Sequence, residues 1–161
     1  MKDKIFEMIT EGRTVFPLTD VVGNVTGAVG KKLGVRISRS ESCGYGFFGS
    51  FDTDKDVIMI SDNFSDARIA RSIGYDNVIG FLPGRDQETF TEEALCAIAA
   101  LNKKIILKYG RDDFGRSWTE DLSLRMKEKG IEVYTCYHEW SERDNISKFK
   151  KELDKMFAAA Y

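Results

Sequence analysis

The chain has 161 residues, of which 42% are hydrophobic, and this length and composition suit one domain with a single core. Its 24 Lys and Arg residues nearly cancel its 26 Asp and Glu residues, which leaves a net charge of -2. This balance excludes a strong overall field that would draw nucleic acid to the protein. A polyanion would therefore have to bind at a local basic patch. We treat residues 1–161 as a single domain.

No run of about 18 apolar residues is present to span a bilayer, and the N-terminal residues lack the apolar stretch of a secretory signal. We therefore expect a cytoplasmic protein that does not bind membranes. The 3 cysteines are far apart and odd in number, which argues against a disulfide framework and against paired zinc-binding CxxC motifs. We expect free thiols, with Cys96 and Cys136 packed in apolar surroundings.

The first 50 residues predict a helix, a hairpin and a loop. Apolar residues at helical spacing predict a helix over residues 3–11. Residues 14–18 and 25–29 have strand composition and flank a Gly-Asn turn, so they predict a β-hairpin. The Ser- and Gly-rich residues 38–50 predict a loop.

From residue 56 onward, short apolar runs alternate with helical stretches. Strands are predicted at residues 56–61, 77–81, 104–109 and 131–136. Helices are predicted at residues 65–73, 91–101 and 115–129, and from residue 146 to near the C-terminus. Such alternation is typical of an α/β fold, here a four-stranded parallel sheet with helices on both faces, preceded by the N-terminal hairpin.

Acidic groups follow two of the predicted strands. Asp62 follows the first, while Asp112 and Asp113 follow the third. If these two strands are neighbours, the carboxylates lie close together at the carboxyl edge of the sheet, where open parallel sheets bind ligands. Carboxylates without a His or Cys partner suit Mg²⁺ or Mn²⁺, with phosphates and waters completing the shell. A metal site of this kind is suited to phosphoryl transfer.

The same acidic residues have a second interpretation. A Ser or Asp directly after a strand is a common helix N-cap, and acids in the first turn of a helix interact favourably with its dipole. Spacing alone therefore leaves metal binding and helix capping as comparable alternatives.

Four motifs then occur in one order along the chain. Arg13, the segment TVFPLTD at residues 14–20 and the segment GAVGKKLG at residues 27–34 are similar to the pattern RxxFPIxDxxGxxxGFxGRxLG. Lys31 stands at an arginine of this pattern.

The next motifs lie in the alternating region. ISDNFSDA at residues 60–67 and IGYDNV at residues 73–78 look like VEGxxDA followed by GxxNVV. KIIL at residues 104–107 and GRDDFGR at residues 110–116 resemble VxLxxDxDxAGR. In this order the patterns are those of bacterial and phage-type DNA primases, and the chain resembles the Toprim domain of that family from residue 13 to residue 145.

The resemblance implies a Toprim core at residues 51–161, preceded by a primase-like hairpin segment at residues 1–50. In that family, acidic residues hold divalent metal for nucleotide polymerisation, which in primases is RNA primer synthesis on a DNA template. The residues at the matching positions form two groups. The metal ligands would be Asp62, Asp112 and Asp113, with Asp62 and Asp112 as the catalytic pair and Mg²⁺ or Mn²⁺ as the cofactor. The residues that bind nucleotide and nucleic acid would be Arg13, Lys31, Lys32, Arg36 and Arg116.

The chain departs from the family pattern at its acidic positions. Asp62 stands where the family has a glutamate, Asn63 replaces a glycine, and Gly110 replaces the first aspartate of the DxD pair. The shorter side chain at position 62 withdraws the carboxylate by about 1.5 Å, the length of one C–C bond. Asp113 is a candidate to compensate for the acid that is missing at position 110. Arg143 and Asp144 stand where the family has a Lys-Asp pair.

The leading hypothesis is a DNA primase, a nucleotidyltransferase that acts on a DNA template and nucleotides, or a component of a primase complex. One alternative is a catalytically degenerate Toprim module that binds DNA or a replication protein. Others are a Toprim nuclease and a flavodoxin-like binder outside the family. Because the sequence contains neither a cysteine-rich zinc module nor a P-loop, we expect a zinc-binding module or a helicase to act in trans. This compact form suits a phage or mobile-element protein.

Overall fold

The computed structural model describes residues 1–34, 39–81, 89–110, 112–137 and 145–160, with the backbone alone for Phe114. Within these residues the helices are α1 (Lys2–Thr10), α2 (Phe64–Ser72), α3 (Glu92–Ala100), α4 (Asp113–Glu128) and α5 (Ile146–Ala160). The strands are β1 (Thr14–Thr19), β2 (Val25–Lys31), β3 (Glu41–Gly44), β4 (Phe47–Phe48), β5 (Val57–Ser61), β6 (Val78–Phe81), β7 (Lys104–Tyr109) and β8 (Val133–Tyr137). None of the described helices is long and apolar enough to cross a membrane.

The described strands form one eight-stranded sheet in the order β3-β2-β1-β4-β6-β5-β7-β8. Strands β6, β5, β7 and β8 are parallel to one another, which confirms the predicted four-stranded parallel sheet. Strands β1 and β2 pair antiparallel, which confirms the predicted hairpin. The α/β fold inferred from the alternation of elements is therefore the fold of the protein.

The prediction of a loop over residues 38–50 is wrong for part of that segment. Strand β3 pairs with β2 at the edge of the sheet, and β4 lies between β1 and β6. The Ser- and Gly-rich composition concealed these short strands, but Phe47 of β4 is buried against the rings of Phe51 and Phe90 at 4.9 and 5.1 Å. Through β4 the hairpin and the parallel strands become one continuous sheet.

Side chains of the parallel strands alternate between two hydrophobic clusters because successive residues of a strand point to opposite faces. Ile58 and Ile60 of β5 lie in the cluster that also contains residues of α3 and α4. Val57 and Met59 lie in the cluster beneath α2 and α5. Helices therefore cover both faces of the parallel strands, as predicted, and this explains why β5 is apolar along its whole length.

The three helices that follow β5, β6 and β7 begin at capped residues. The side chains of Asn63, Thr91 and Asp112 accept hydrogen bonds from backbone N–H groups in the first turns of α2, α3 and α4, respectively. Helix α2 is followed by Gly74 and α4 by Gly130, both with positive φ (106° and 80°), as expected for the glycines that end these helices.

The three cysteines are free thiols, as predicted, but their environments differ. Cys136 is half-buried, with its Sγ 3.9 Å from the Sδ of Met156, and burial raises the pKa of its thiol to about 11. Cys96 is exposed, so the prediction that it packs in apolar surroundings is wrong. It lies on the outward side of α3, whose inward side is occupied by Leu95 and Ile98.

We predict that Cys96 reacts with a thiol reagent such as DTNB at pH 8 much faster than Cys136. With a pKa of about 11, roughly one Cys136 side chain in a thousand is a thiolate at that pH, and the thiolate is the reactive form. Reaction rates measured for the single variants Cys96→Ser and Cys136→Ser identify each thiol. A Cys136 thiol that reacts as fast as Cys96 in the folded protein would contradict its placement against α5.

A second prediction concerns the contact between β2 and β3. A Cβ atom at Gly27 would lie 2.5 Å from the backbone O of Cys43 and 2.7 Å from the backbone N of Tyr45. We expect Gly27→Ala to lower the free energy of unfolding by about 1–3 kcal/mol, because these backbone atoms cannot move aside cheaply. Urea denaturation measures the change. The control is Gly110→Ala, whose Cβ would make only an ordinary contact of 3.8 Å.

Candidate functional site

The site begins with the pairing of β5 and β7, which are neighbours in the sheet as the sequence hypothesis required. Ser61 at the end of β5 is in register with Lys108 of β7. The next residue, Asp62, donates its N–H to the carbonyl of Lys108 at 3.1 Å. Its Oδ2 accepts a hydrogen bond from the N–H of Gly110 at 3.0 Å. The half-buried Asp62 carboxylate is thus held against the chain two residues before Asp112.

Asp112 has a structural role that can be seen directly. Its Oδ1 accepts a hydrogen bond of 2.6 Å from the N–H of Gly115 and so caps α4. Asp113 is the first residue of α4, and the side chains of Asp112 and Asp113 are both exposed. The capping interpretation therefore holds for Asp112, with one of its two carboxylate oxygens engaged. Capping also fixes the orientation of this carboxylate at the end of β7.

In the described part of the chain, no three His, Cys, Asp or Glu side chains are grouped closely enough to hold a metal ion. A metal cage made of protein ligands alone is therefore not found among these residues. The donors present at the edge are carboxylate oxygens, which suit Mg²⁺ or Mn²⁺. Mg²⁺ commonly binds through one or two carboxylates, with waters and substrate phosphates as its other ligands. This donor set fits a metal ion that arrives with a phosphate-bearing ligand.

Lys31 brings a positive charge from the hairpin to the first turn of α2. Its side chain is nearly buried at 8% exposure, and its ammonium donates a hydrogen bond to the hydroxyl of Ser65. The same ammonium lies 6.0 Å from the ring centroid of Phe64. A helix N-terminus carries partial positive charge and unpaired N–H groups, so an ammonium beside it strengthens an environment that favours anions.

The other predicted basic residues divide into three cases. Arg13 is engaged within the N-terminal segment, where its guanidinium lies 3.3 Å from carboxylate oxygens of Glu11 and Glu41. It also donates to the carbonyl of Arg39 at 2.7 Å, so its contacts hold the start of β1 near β3. Lys32 and Arg116 have exposed side chains, next to Lys31 and in the first turn of α4, respectively. Arg36 lies outside the described residues, as do Arg143 and the acidic Asp144 that follows it.

One pair of residues at the site was missed by sequence reasoning. Lys108 of β7 and Asp66 of α2 form an ion pair of 2.6 Å, with side chains only 1% and 2% exposed. The signal was present in the sequence, because a lysine within the apolar run of a buried strand needs an internal partner. The partner could not be identified, since Asp66 is 42 positions away and only the packing of α2 on the sheet brings the two together.

Comparison with known proteins points to one group of structures. No protein-family model matches the chain, and no curated protein is similar to it in sequence. The fold is similar to that of the DnaG catalytic core, with a TM-score of 0.55 and 18% identity over 79% of this chain and 44% of that chain. It is also similar to a DNA primase domain from Pseudomonas aeruginosa, with a TM-score of 0.53 and 20% identity over 78% and 43% of the two chains.

A third similar structure is the RNA polymerase domain of the Mycobacterium tuberculosis primase DnaG. Its TM-score is 0.54 and its identity 13%, over 79% of this chain and 47% of that chain. The present chain thus spans less than half the length of each of these structures. Since the three identities lie between 13% and 20%, the likeness is one of fold: the α/β fold of this protein is similar to part of these primase structures.

Proposed function

We propose that this chain is a primase-like Toprim protein that binds a nucleoside triphosphate with Mg²⁺ or Mn²⁺ at the carboxyl edge of β5 and β7. In this proposal it adds nucleotides to an RNA primer on a DNA template, alone or as a component of a primase complex. The observation that carries the proposal is the hydrogen bond that places the Asp62 carboxylate against Gly110, at that edge of a primase-like fold.

The residues of the edge have separate tasks in this proposal. Asp62 and Asp112 are the carboxylates that would hold the metal ion together with the phosphates of the nucleotide, and Asp113, the next residue after Asp112, is a further candidate ligand. The metal ion, when bound, supplies positive charge that stabilises the phosphate oxygens during transfer. Lys31 and the N-terminus of α2 bind phosphate directly, since both favour anions.

The remaining predicted residues extend the proposed site. Lys32 and Arg116 have exposed side chains, and we assign them to contacts with a nucleic-acid backbone, whose phosphates provide most of the non-specific affinity. Arg36 is proposed for the same role from its sequence position alone. Arg13 is engaged with Glu11 and Glu41, so we assign it chiefly to holding the hairpin segment in place.

A second candidate function is a catalytically degenerate module that binds DNA or a replication protein. Two observations favour it. Position 110 has no carboxylate, and one oxygen each of Asp62 and Asp112 already accepts a backbone hydrogen bond. A catalytic group misplaced by about 1 Å can lower the reaction rate on the order of a hundredfold. A degenerate module is therefore expected to bind its ligand without turnover. A zinc-binding module or a helicase is the proposed partner in this case.

Primer synthesis tests the proposal. We expect the wild-type protein to extend ribonucleotides on a single-stranded DNA template with Mn²⁺ or Mg²⁺, and Asp112→Asn to reduce the rate about a hundredfold or more. Asn caps a helix as well as Asp does, so this variant removes the negative charge but keeps α4 in place. The control is Asp121→Asn, which removes an exposed carboxylate from the same helix. Equal rates for Asp112→Asn and wild type would contradict the site. Binding of nucleotide or DNA without synthesis by the wild type would favour the degenerate module.

Restoring the missing acid gives another prediction. At Gly110 a Cβ would lie 3.8 Å from Asp62 Oδ2, which is an ordinary van der Waals contact. We expect Gly110→Asp to bind Mn²⁺ about tenfold more tightly than Gly110→Asn, which has the same size but no charge. Without metal, Gly110→Asp should have the lower Tm, because like charges close together repel. Calorimetric titration and thermal denaturation in EDTA measure both effects, and identical Mn²⁺ affinities of the two variants would contradict the proposed metal position.

A further inference from the structure

The ion pair of Lys108 and Asp66 lies in the layer directly beneath the site. Lys108 reaches from the last part of β7 into the cluster under α2 and α5, where its ammonium is 2.6 Å from Asp66 Oδ2. The ammonium also lies 6.0 Å from the ring centroid of Phe149 on α5. With exposures of 1% and 2%, both charged groups are shielded from water. The pair therefore joins one strand and two helices at a single buried point.

Lys108 holds the segment between β5 and α2 at both of its ends. Its backbone carbonyl accepts the N–H of Asp62 at 3.1 Å, and its ammonium binds the carboxylate of Asp66, one helical turn later. Between these anchors lies Asn63, whose side chain accepts the N–H of Asp66 at 3.1 Å and so caps α2. The direction of the Asp62 carboxylate toward Gly110 depends on this short segment.

Stability alone does not explain a buried lysine at this position. Removing two charges from water is costly, and replacing a buried ion pair by apolar side chains of similar volume is often neutral or stabilising. A charged hydrogen bond, however, has a preferred length and direction, whereas an apolar contact tolerates sliding. The pair is thus suited to fixing how α2 sits on β7.

We propose that Lys108 is a positioning residue of the candidate site. By binding Asp66 it sets the first turn of α2 against the end of β7, which keeps the Asp62 carboxylate on the N–H of Gly110 and keeps Ser65 in reach of Lys31. Lys108 acts through Asp62 and does not itself touch a substrate. Its importance for ligand binding rests on the proposed function, but its effect on the segment between β5 and α2 can be measured without any ligand.

The decisive variant is the double substitution Lys108→Met/Asp66→Leu. The single change Lys108→Met would leave the Asp66 charge buried without its ammonium and would destabilise the fold, whereas the double change replaces both charges by apolar groups. We expect the double variant to fold with a Tm within about 5 °C of the wild type.

We expect the protection of the Gly110 N–H from hydrogen exchange in the double variant, measured by NMR, to fall at least tenfold. The amides in the middle of the β5–β7 ladder should keep their protection. Unchanged protection of the Gly110 amide would overturn the proposal.

A ligand measurement tests the consequence for function. We expect the affinity for ATP with Mn²⁺ to fall about tenfold in the double variant, at a temperature where all variants are folded. The matched control is Tyr75→Phe, which removes a hydrogen bond to Asp154 of α5 beyond the other end of α2 and should leave the affinity unchanged. A double variant that binds ATP as tightly as the wild type would overturn the positioning role.

The two proposals fail in different ways. If the wild-type protein itself does not bind ATP with Mn²⁺, the proposed nucleotide site is wrong, while the exchange of the Gly110 amide still decides whether Lys108 positions the segment. If the wild type binds and only the control changes its affinity, the positioning proposal is wrong and the nucleotide site stands.

Discussion

The parallel pairing of β5 with β7 is the interaction on which the rest of the structure depends. Its register, from Val57 opposite Lys104 to Ser61 opposite Lys108, places Asp62 level with the residues that lead into α4. A shift of one residue would turn every side chain of a strand to the other face. Lys108 would then leave Asp66, and β7 would place its apolar residues under the wrong helices. The sheet register and the site geometry are therefore one constraint.

The acidic residues of the edge combine structural and chemical properties. Asp112 caps α4 and Asp62 accepts the Gly110 N–H, so backbone hydrogen bonds hold both carboxylates in fixed directions. Such bonds reduce the freedom to rearrange around a metal ion, but they also prevent the side chains from turning away. Capping and metal binding are consequently compatible for Asp112, because a carboxylate has two oxygens and the cap uses one.

The N-terminal segment contributes to the same site through two connections. Strand β4 joins the hairpin to β6 by backbone pairing, and Lys31 joins β2 to α2 through the hydroxyl of Ser65. Strand β2 is therefore linked to the first turn of α2, the helix that follows Asp62 in the chain. The Lys31 ammonium thereby adds a positive charge beside the N-terminus of α2, an environment that favours anions.

The sequence by itself determined the class of the fold and the ends of most elements. Periodic apolar residues, helix caps and glycines act over a few positions, so the parallel strands, the hairpin, and the helices α1 to α5 could be predicted locally. It also determined which carboxylates follow β5 and β7. Only the tertiary structure decided that β4 bridges the two parts of the sheet, that Arg13 forms an ion pair with Glu41, and that Asp66 is the partner of Lys108. Arg13 and Glu41 are 28 positions apart, and Asp66 and Lys108 are 42 positions apart. Such contacts depend on packing, which no local pattern encodes.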